Sequence, residues 1–312
     1  MDLLSLAHFA RIKPLIAWSI SGSVLGLGLA LYISGGRIVA VLPTALAMVA
    51  VVLMQYAAHP LNDIMDCQVD RQAPIGATGR VKPLVSGAVT VSEAKHLTTA
   101  LVLIILAILA YLIYLRPPLI LPAAYGMAAL MGYNHPAARL AYHPFTELYM
   151  AVPVNAIVVF VTSYIGSGAA SPVAAAVSVI FGFASSAVFV SMMSMDLPTD
   201  LANGKVTTVS RYPRSYWCAI FPGLGLAAAA VSPLLLYDEL GPPATALFLA
   251  VSILAFVPII AYGLMVDQLR HRYLRGEVRD PEGRAGRLRL RQLYISSAFA
   301  FVLAALFASR SW

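Results

Sequence analysis

The sequence predicts an all-α membrane protein. Nine transmembrane helices form two four-helix halves around a central cavity, with a ninth helix beside them, in a single domain over residues 1–312. Three observations predict this class. The chain is 60% hydrophobic and 11% charged, whereas an average soluble protein carries about 25% charged residues. Apolar runs long enough to cross a bilayer recur along its whole length. The runs have helical length, where a transmembrane barrel would show short alternating segments.

The spans fall near 14–34, 38–58, 96–115, 118–134, 146–166, 172–194, 216–236, 243–266 and 293–309. Internal Gly and Pro occur in several, as is usual for membrane helices. The first run follows Arg11 and Lys13 but is too long for a signal peptide and has no small-residue cleavage site, so it reads as a retained helix. Lys and Arg set the orientation. Counting alternate segments from the amino terminus, one side holds 18 of the 21, and the other only Arg37, Arg116 and Arg310. By the positive-inside rule the amino terminus is cytoplasmic. The net charge of +7 then describes a cytoplasmic face suited to anionic lipid or an anionic substrate. No soluble module is present to make it a nucleic-acid signature. Cys67 and Cys218 show no metal-type spacing and read as reduced, unpaired thiols.

Two loops on the cytoplasmic side, 59–95 and 195–215, are separated by four helices, and this placement suggests the two halves. A third stretch, 267–292, is Arg-rich and reads as a solvated linker facing lipid headgroups.

The first of these loops opens with HPLNDIMDCQVDR, and the chain has only 14 acidic residues in all. Asn62, Asp66 and Asp70 are spaced i, i+4, i+8, and Asp63 and Asp70 are i, i+7. If the second helix continues past the bilayer, they share one broad face. Like charges at that spacing repel, so the helix by itself does not favour them. The second loop, SMDLPTDLANGKVTT, repeats the chemistry, with Asp196 and Asp200 four apart and Asn203 a turn on. Pro198 fits a helix there only in its first turn, which would make Asp196 an N-cap, the plain structural reading of that residue. Two acidic clusters on one face of so acid-poor a chain point elsewhere. Carboxylates and amides are hard oxygen ligands suited to Mg²⁺. Arg71, Arg80, Lys82, Lys205 and Arg211 stand close by in sequence. Carboxylates, a divalent metal and cationic side chains together make a diphosphate site.

At these residues the chain resembles the UbiA superfamily of intramembrane prenyltransferases. NDIMDCQVD matches the family's NDxxDxxxD motif. DLPTD followed by NGKVTT is similar to its second motif. RVKPLVSGAVTVSEA resembles the segment after the first motif, and YNHPAARL resembles the Tyr-Ser-x-Pro-x-x-Lys/Arg-Leu loop. The chain departs at Met193, where many members carry an acid, and at Asn134, which replaces Ser. The stretch from Asp70 to Lys82 is also longer than usual.

The resemblance implies transfer of a polyprenyl group from a prenyl diphosphate to a lipid-soluble acceptor. Asn62, Asp66, Asp196 and Asp200 would hold two Mg²⁺ on the diphosphate. Asp66, Asp70, Asp196 and Asp200 form the implied catalytic set, with Asp63 as a direct or outer partner. Arg71, Arg80, Lys82 and Lys205 are candidate diphosphate clamps, and Tyr133 and Arg139 lie on the acceptor side. Each has a plainer reading: headgroup contact for the cations and interfacial anchoring for the tyrosine. Asn155 either lines the cavity or, the favoured reading, makes a helix-to-helix contact, Glu147 reads as an acceptor-region residue or a solvated or capping Glu, and His59, His135 and His143 as interfacial. The 133–149 loop favours an aromatic quinone precursor as acceptor. A prenylglyceryl phosphate or a tetrapyrrole is the alternative within the same chemistry. From another class, a transporter would need ionisable groups near the bilayer midplane, and the spans carry almost none.

Overall fold

A computed structural model describes residues 16–71, 81–133, 135, 137–278 and 282–310. The described residues are helical in every long element. A π-helical turn, Ile16–Ile20, leads into α1 (Ser21–Ile33). Then come α2 (Val41–Met65), the short α3 (Cys67–Asp70) and α4 (Pro83–Ser86), α5 (Val91–Leu115) and α6 (Ile120–Gly132). A second π-helical turn, Glu147–Ala151, opens α7 (Val152–Ser167), followed by α8 (Pro172–Met195), the short α9 (Leu197–Ala202) and α10 (Thr208–Arg211). The chain ends in α11 (Trp217–Val231), α12 (Pro233–Leu274) and α13 (Glu282–Ala308).

Six helical segments are long and apolar enough to cross a membrane: 41–65, 91–115, 147–167, 172–195, 233–274 and 284–308. Three shorter apolar segments, 18–33, 117–132 and 217–231, fall at the other expected spans. The protein is an integral membrane protein on this evidence.

Local chemistry accounts for the helix ends. α5 begins at Val91, five residues before the expected span. Thr90 Oγ1 accepts from the Glu93 N–H (3.2 Å), and Glu93 Oε2 accepts from the Thr90 N–H (2.9 Å). This reciprocal capping box satisfies two amides that the helix leaves unpaired. Ser171 caps α8 through the Val173 N–H at 3.1 Å, with Pro172 at the first helical position, where its missing N–H costs nothing. α2 runs through Pro60 to Met65.

α8 lies at the centre, buried along most of its length between α7, α11, α12 and α13. α1 does not pack within the first four helices. It lies against α7 and α13, so the first half is not a bundle of its own and the last helix closes the assembly. Gly28 makes this possible: a Cβ there would lie 2.6 Å from the Ala304 Cα.

The Arg-rich stretch differs from expectation. Residues 267–274 belong to α12, and α13 resumes at Glu282. Asp267 and Arg270, read as part of a solvated linker, are 0% and 2% exposed. The helix continues because its last turns have a buried ion pair to face inward, at 2.8 Å.

Candidate active site

A cavity of about 310 Å³ lies among α2, α5, α6 and α7. Its wall is mostly apolar and includes Ala50, Met54, Leu112, Leu119, Gly126 and Val158. The polar lining gathers on α2, where Gln55, His59 and Asn62 succeed one another at helical spacing. Asn62 thus opens onto the cavity at the end that carries both acidic motifs.

The first motif stays helical through its break. The Asp66 N–H bonds the Asn62 carbonyl (2.9 Å) and the Asp70 N–H bonds the Asp66 carbonyl (2.8 Å). Asn62, Asp66 and Asp70 therefore occupy successive turns, as their spacing anticipates. The second motif follows α8 in the same way, with the Asp196 N–H on Met192 O (3.0 Å) and the Asp200 N–H on Asp196 O (2.8 Å). Pro198 sits in the first turn of α9. The N-cap expectation for Asp196 does not hold: its side chain makes no cap hydrogen bond, and its backbone is itself helical, unlike a typical N-cap. The Asn203 side chain turns back to donate to the Thr199 carbonyl at 2.9 Å.

The two motifs meet electrostatically. Burial pushes the Asp200 carboxyl up to about 7, against the pull of Lys205, with repulsion from Asp196 and from Asp66 of the first motif. Burial works to lower the Lys205 ammonium, but Tyr133, Asp200, Asp66 and Asp196 outweigh it and its pKa is raised. Lys205 Nζ lies 3.9 Å from Asp200 Oδ1 and 5.4 Å from the centre of the Tyr142 ring. Thr207 Oγ1 donates to Asp200 Oδ2 at 3.5 Å, and a capping box with Ser210 fixes Thr207. Tyr133 lines the cavity, tilts against Phe189 and is pushed by burial to about 12, so its hydroxyl keeps its proton.

Asp63 and Asp70 stand apart from this group. Lys82 Nζ lies 2.7 Å from both Asp70 oxygens and 3.5 Å from Asp63 Oδ1. Burial pushes the Asp70 carboxyl up, Lys82 pulls it down, and Asp63 and Asp66 add repulsion. Arg71 is exposed at the end of α3. Arg139, in a left-handed conformation (φ 44°), is exposed and stacks over Tyr142 at 5.5 Å. Arg80 lies outside the described residues.

Among the described residues, no three His, Cys, Asp or Glu side chains group closely enough to form a ready-made metal cage. The oxygen donors are instead the carboxylates of Asp66, Asp196 and Asp200 and the Asn62 amide. That is the set Mg²⁺ uses when it keeps waters and takes its remaining oxygens from substrate phosphates.

A family model, the UbiA prenyltransferase family, matches residues 22–280. The chain belongs to that family. A solved UbiA homologue from Archaeoglobus fulgidus bound to GPP and Mg²⁺ superposes with TM-score 0.62 at 16% identity, covering 96% of this chain and 99% of that one. A structure of digeranylgeranylglyceryl phosphate synthase matches at 0.59 and 16% identity, over 97% and 98% of the two chains. The apo homologue from Aeropyrum pernix matches at 0.52 and 20%, over 91% and 97%. These likenesses show the UbiA fold. No curated protein sequence matches the chain.

For a UbiA-family chain, two site features are new relative to the sequence, and two residues named from it acquire partners. Tyr142 presents one ring to both Lys205 and Arg139, and only the loop fold brings the three together. Gln55 takes the Ser19 N–H at 3.0 Å, and its buried amide nitrogen has no hydrogen-bond partner among the described residues. Asn155 makes its expected helix contact, donating to Ser186 Oγ at 3.1 Å, and also lines the cavity. Glu147 is neither solvated nor a cap: it is fully buried and accepts from the Trp217 indole N–H.

Proposed function

We propose that this protein is an intramembrane prenyltransferase that moves a prenyl group from a prenyl diphosphate to a lipid-soluble acceptor. One observation carries the reading: Asp66 from one loop and Asp196 and Asp200 from the other act on the same Lys205 and Tyr133, at the polar end of an apolar cavity. An apolar tail fits the cavity, and an anionic headgroup fits its mouth only with cations to balance the carboxylates. The related structures from Archaeoglobus fulgidus hold GPP or DMAPP with Mg²⁺.

In this reading Asn62, Asp66, Asp196 and Asp200 hold Mg²⁺ together with the diphosphate. When bound, the metal neutralises charge developing on the leaving diphosphate. Lys205 adds a positive charge at the same point, steadied by Tyr142. The apolar wall keeps water from the allylic carbon as the C1–O bond breaks. Tyr133, protonated, offers a hydrogen bond at the mouth. Lys82 serves as the counter-charge of Asp63 and Asp70, which places these two acids behind the ligand set. Arg71, Arg80 and Arg139 remain candidates for contact with the headgroup or acceptor.

The topology belongs to the same reading. All nine apolar segments cross, the amino terminus is cytoplasmic, residues 1–312 act as one unit in the cytoplasmic membrane, and the site opens to the cytoplasm. The 133–149 loop supports an aromatic quinone precursor as acceptor, and a prenylglyceryl phosphate is the alternative.

The decisive experiment incubates purified protein with labelled geranylgeranyl diphosphate and a panel of aromatic, glyceryl phosphate and tetrapyrrole acceptors, with Mg²⁺ or with chelator. A metal-dependent, lipid-soluble labelled product with one acceptor class is expected. No product with any acceptor, with solute flux in proteoliposomes instead, would overturn the reading.

A further inference from the structure

Arg270 is the largest fully buried side chain among the described residues. Its guanidinium joins three segments. Nη1 lies 2.8 Å from Asp267 Oδ1 on the preceding turn of α12 and donates to Ser194 Oγ at 2.6 Å. Nε donates to the Pro213 carbonyl at 3.0 Å, and Nη2 donates to the Ser215 carbonyl. Asp267 in turn accepts from the Cys218 and Ala219 N–H groups at 3.3 and 3.1 Å. These amides lie in the first turn of α11, where backbone N–H groups lack a full set of intrahelical partners; the Ala219 N–H also reaches the Tyr216 carbonyl at 3.0 Å. The close approach behind this arrangement is set by Gly263, where a Cβ would lie 2.0 Å from the Cys218 carbonyl oxygen.

Ser194 is two residues before Asp196, in the last turn of α8. Residues 213 and 215 follow α10, whose cap residue Thr207 bonds Asp200. Both ends of the second acidic loop are therefore tied to one guanidinium. A planar five-donor fork can hold these four acceptors in fixed directions, and an ammonium cannot reproduce that geometry.

We propose that Arg270, held by Asp267, is the positioning residue of the second acidic motif and sets where Asp196 and Asp200 stand relative to Asp66. The inference rests on the proposed function for what the two motifs bind, and on the geometry alone for how they are spaced. Arg270 touches no substrate. It acts through Ser194 and the 213–215 backbone.

Two measurements test it. Spin labels at Gln68→Cys and Leu201→Cys, both exposed positions, are placed in the chain carrying Cys67→Ser, and the interlabel distance is read by pulsed electron resonance. One narrow distribution is expected with Arg270 intact, a broad or shifted one for Arg270→Gln, and an intermediate one for Arg270→Lys. The control Leu303→Ala, in the buried part of α13, should lower the melting temperature and keep the narrow distribution. An unchanged distribution in Arg270→Gln overturns the proposal, as does the same broadening in Leu303→Ala. If Arg270→Gln does not fold, Arg270→Lys and Ser194→Ala decide by the same criterion.

The second measurement is the affinity for geranyl thiodiphosphate, a donor analogue that does not ionise, with Mg²⁺. Loss of a residue that orients ligands costs about 10–100-fold, and a loss of that size is expected for Arg270→Gln. Wild-type affinity in that variant overturns the proposal. If the intact chain binds no analogue at all, the proposed function falls, and the distance measurement still decides the role of Arg270.

Discussion

Lys82 Nζ sits 2.7 Å from each carboxylate oxygen of Asp70, twelve positions earlier in the chain. The same ammonium reaches Asp63, which is 1% exposed, at 3.5 Å. One cation therefore balances two acids of the first motif, while Asn62 of the same motif lines the cavity. Lys82→Met should remove the ammonium that both Asp63 and Asp70 contact and destabilise the protein by about 3 kcal/mol. The melting temperature in detergent reads this, and Asp63→Asn in the Lys82→Met background should recover part of the loss. No recovery would mean that the pair is not coupled.

Asp66 and Asp200 come from different loops and act on one lysine. In the proposed site Asp66→Asn and Asp200→Asn should each lower the rate of prenyl transfer by about 10²–10³ with little change in melting temperature, because each carboxylate would help hold the Mg²⁺ that stabilises the leaving diphosphate. Retention of activity in both variants would refute the site assignment.

Ala50 lies on the cavity wall, twelve residues before Asn62 and so about 18 Å along α2. Ala50→Phe should block the far part of the cavity. The kcat/KM for geranylgeranyl diphosphate should fall much further than that for dimethylallyl diphosphate, whose tail is too short to reach the new ring. Equal loss for both donors would show that the tail does not lie along this wall.

Gly28 lets α1 and α13 touch backbone to backbone, with a would-be Cβ 2.5 Å from the Ala304 carbonyl oxygen. Gly28→Val should force the helices apart and cost about 1–3 kcal/mol or more. The monodisperse peak in size-exclusion chromatography should shrink, whereas Gly223→Ala, within α11 and with open space at its Cβ, should leave it intact.

Much of the site was legible because its information is local. Asn62, Asp66 and Asp70 fall on successive turns through a spacing of four, and Asp196 and Asp200 repeat it, so a helix at each place sets their faces. The partners of these acids were not legible. Lys82 stood among several cations near Asp70 in sequence, and nothing in the order of residues says that it, and not Arg71, takes the carboxylate. Tyr142, Gln55 and Thr207 carry no signal until the loops fold around them. Arg270 sits in a stretch whose composition is that of a solvated linker.

The sequence by itself determined the membrane class, the family and the two acidic motifs, because long apolar runs and i, i+4 spacing act within single helices. Only the tertiary structure decided which cation neutralises which acid, that α1 closes against the last helix, and that Asp267 and Arg270 face inward to tie the ends of the second loop. Those outcomes depend on contacts between segments far apart in the chain. Their driving force, the cost of leaving a buried charge or backbone amide unpaired, appears only once burial is known.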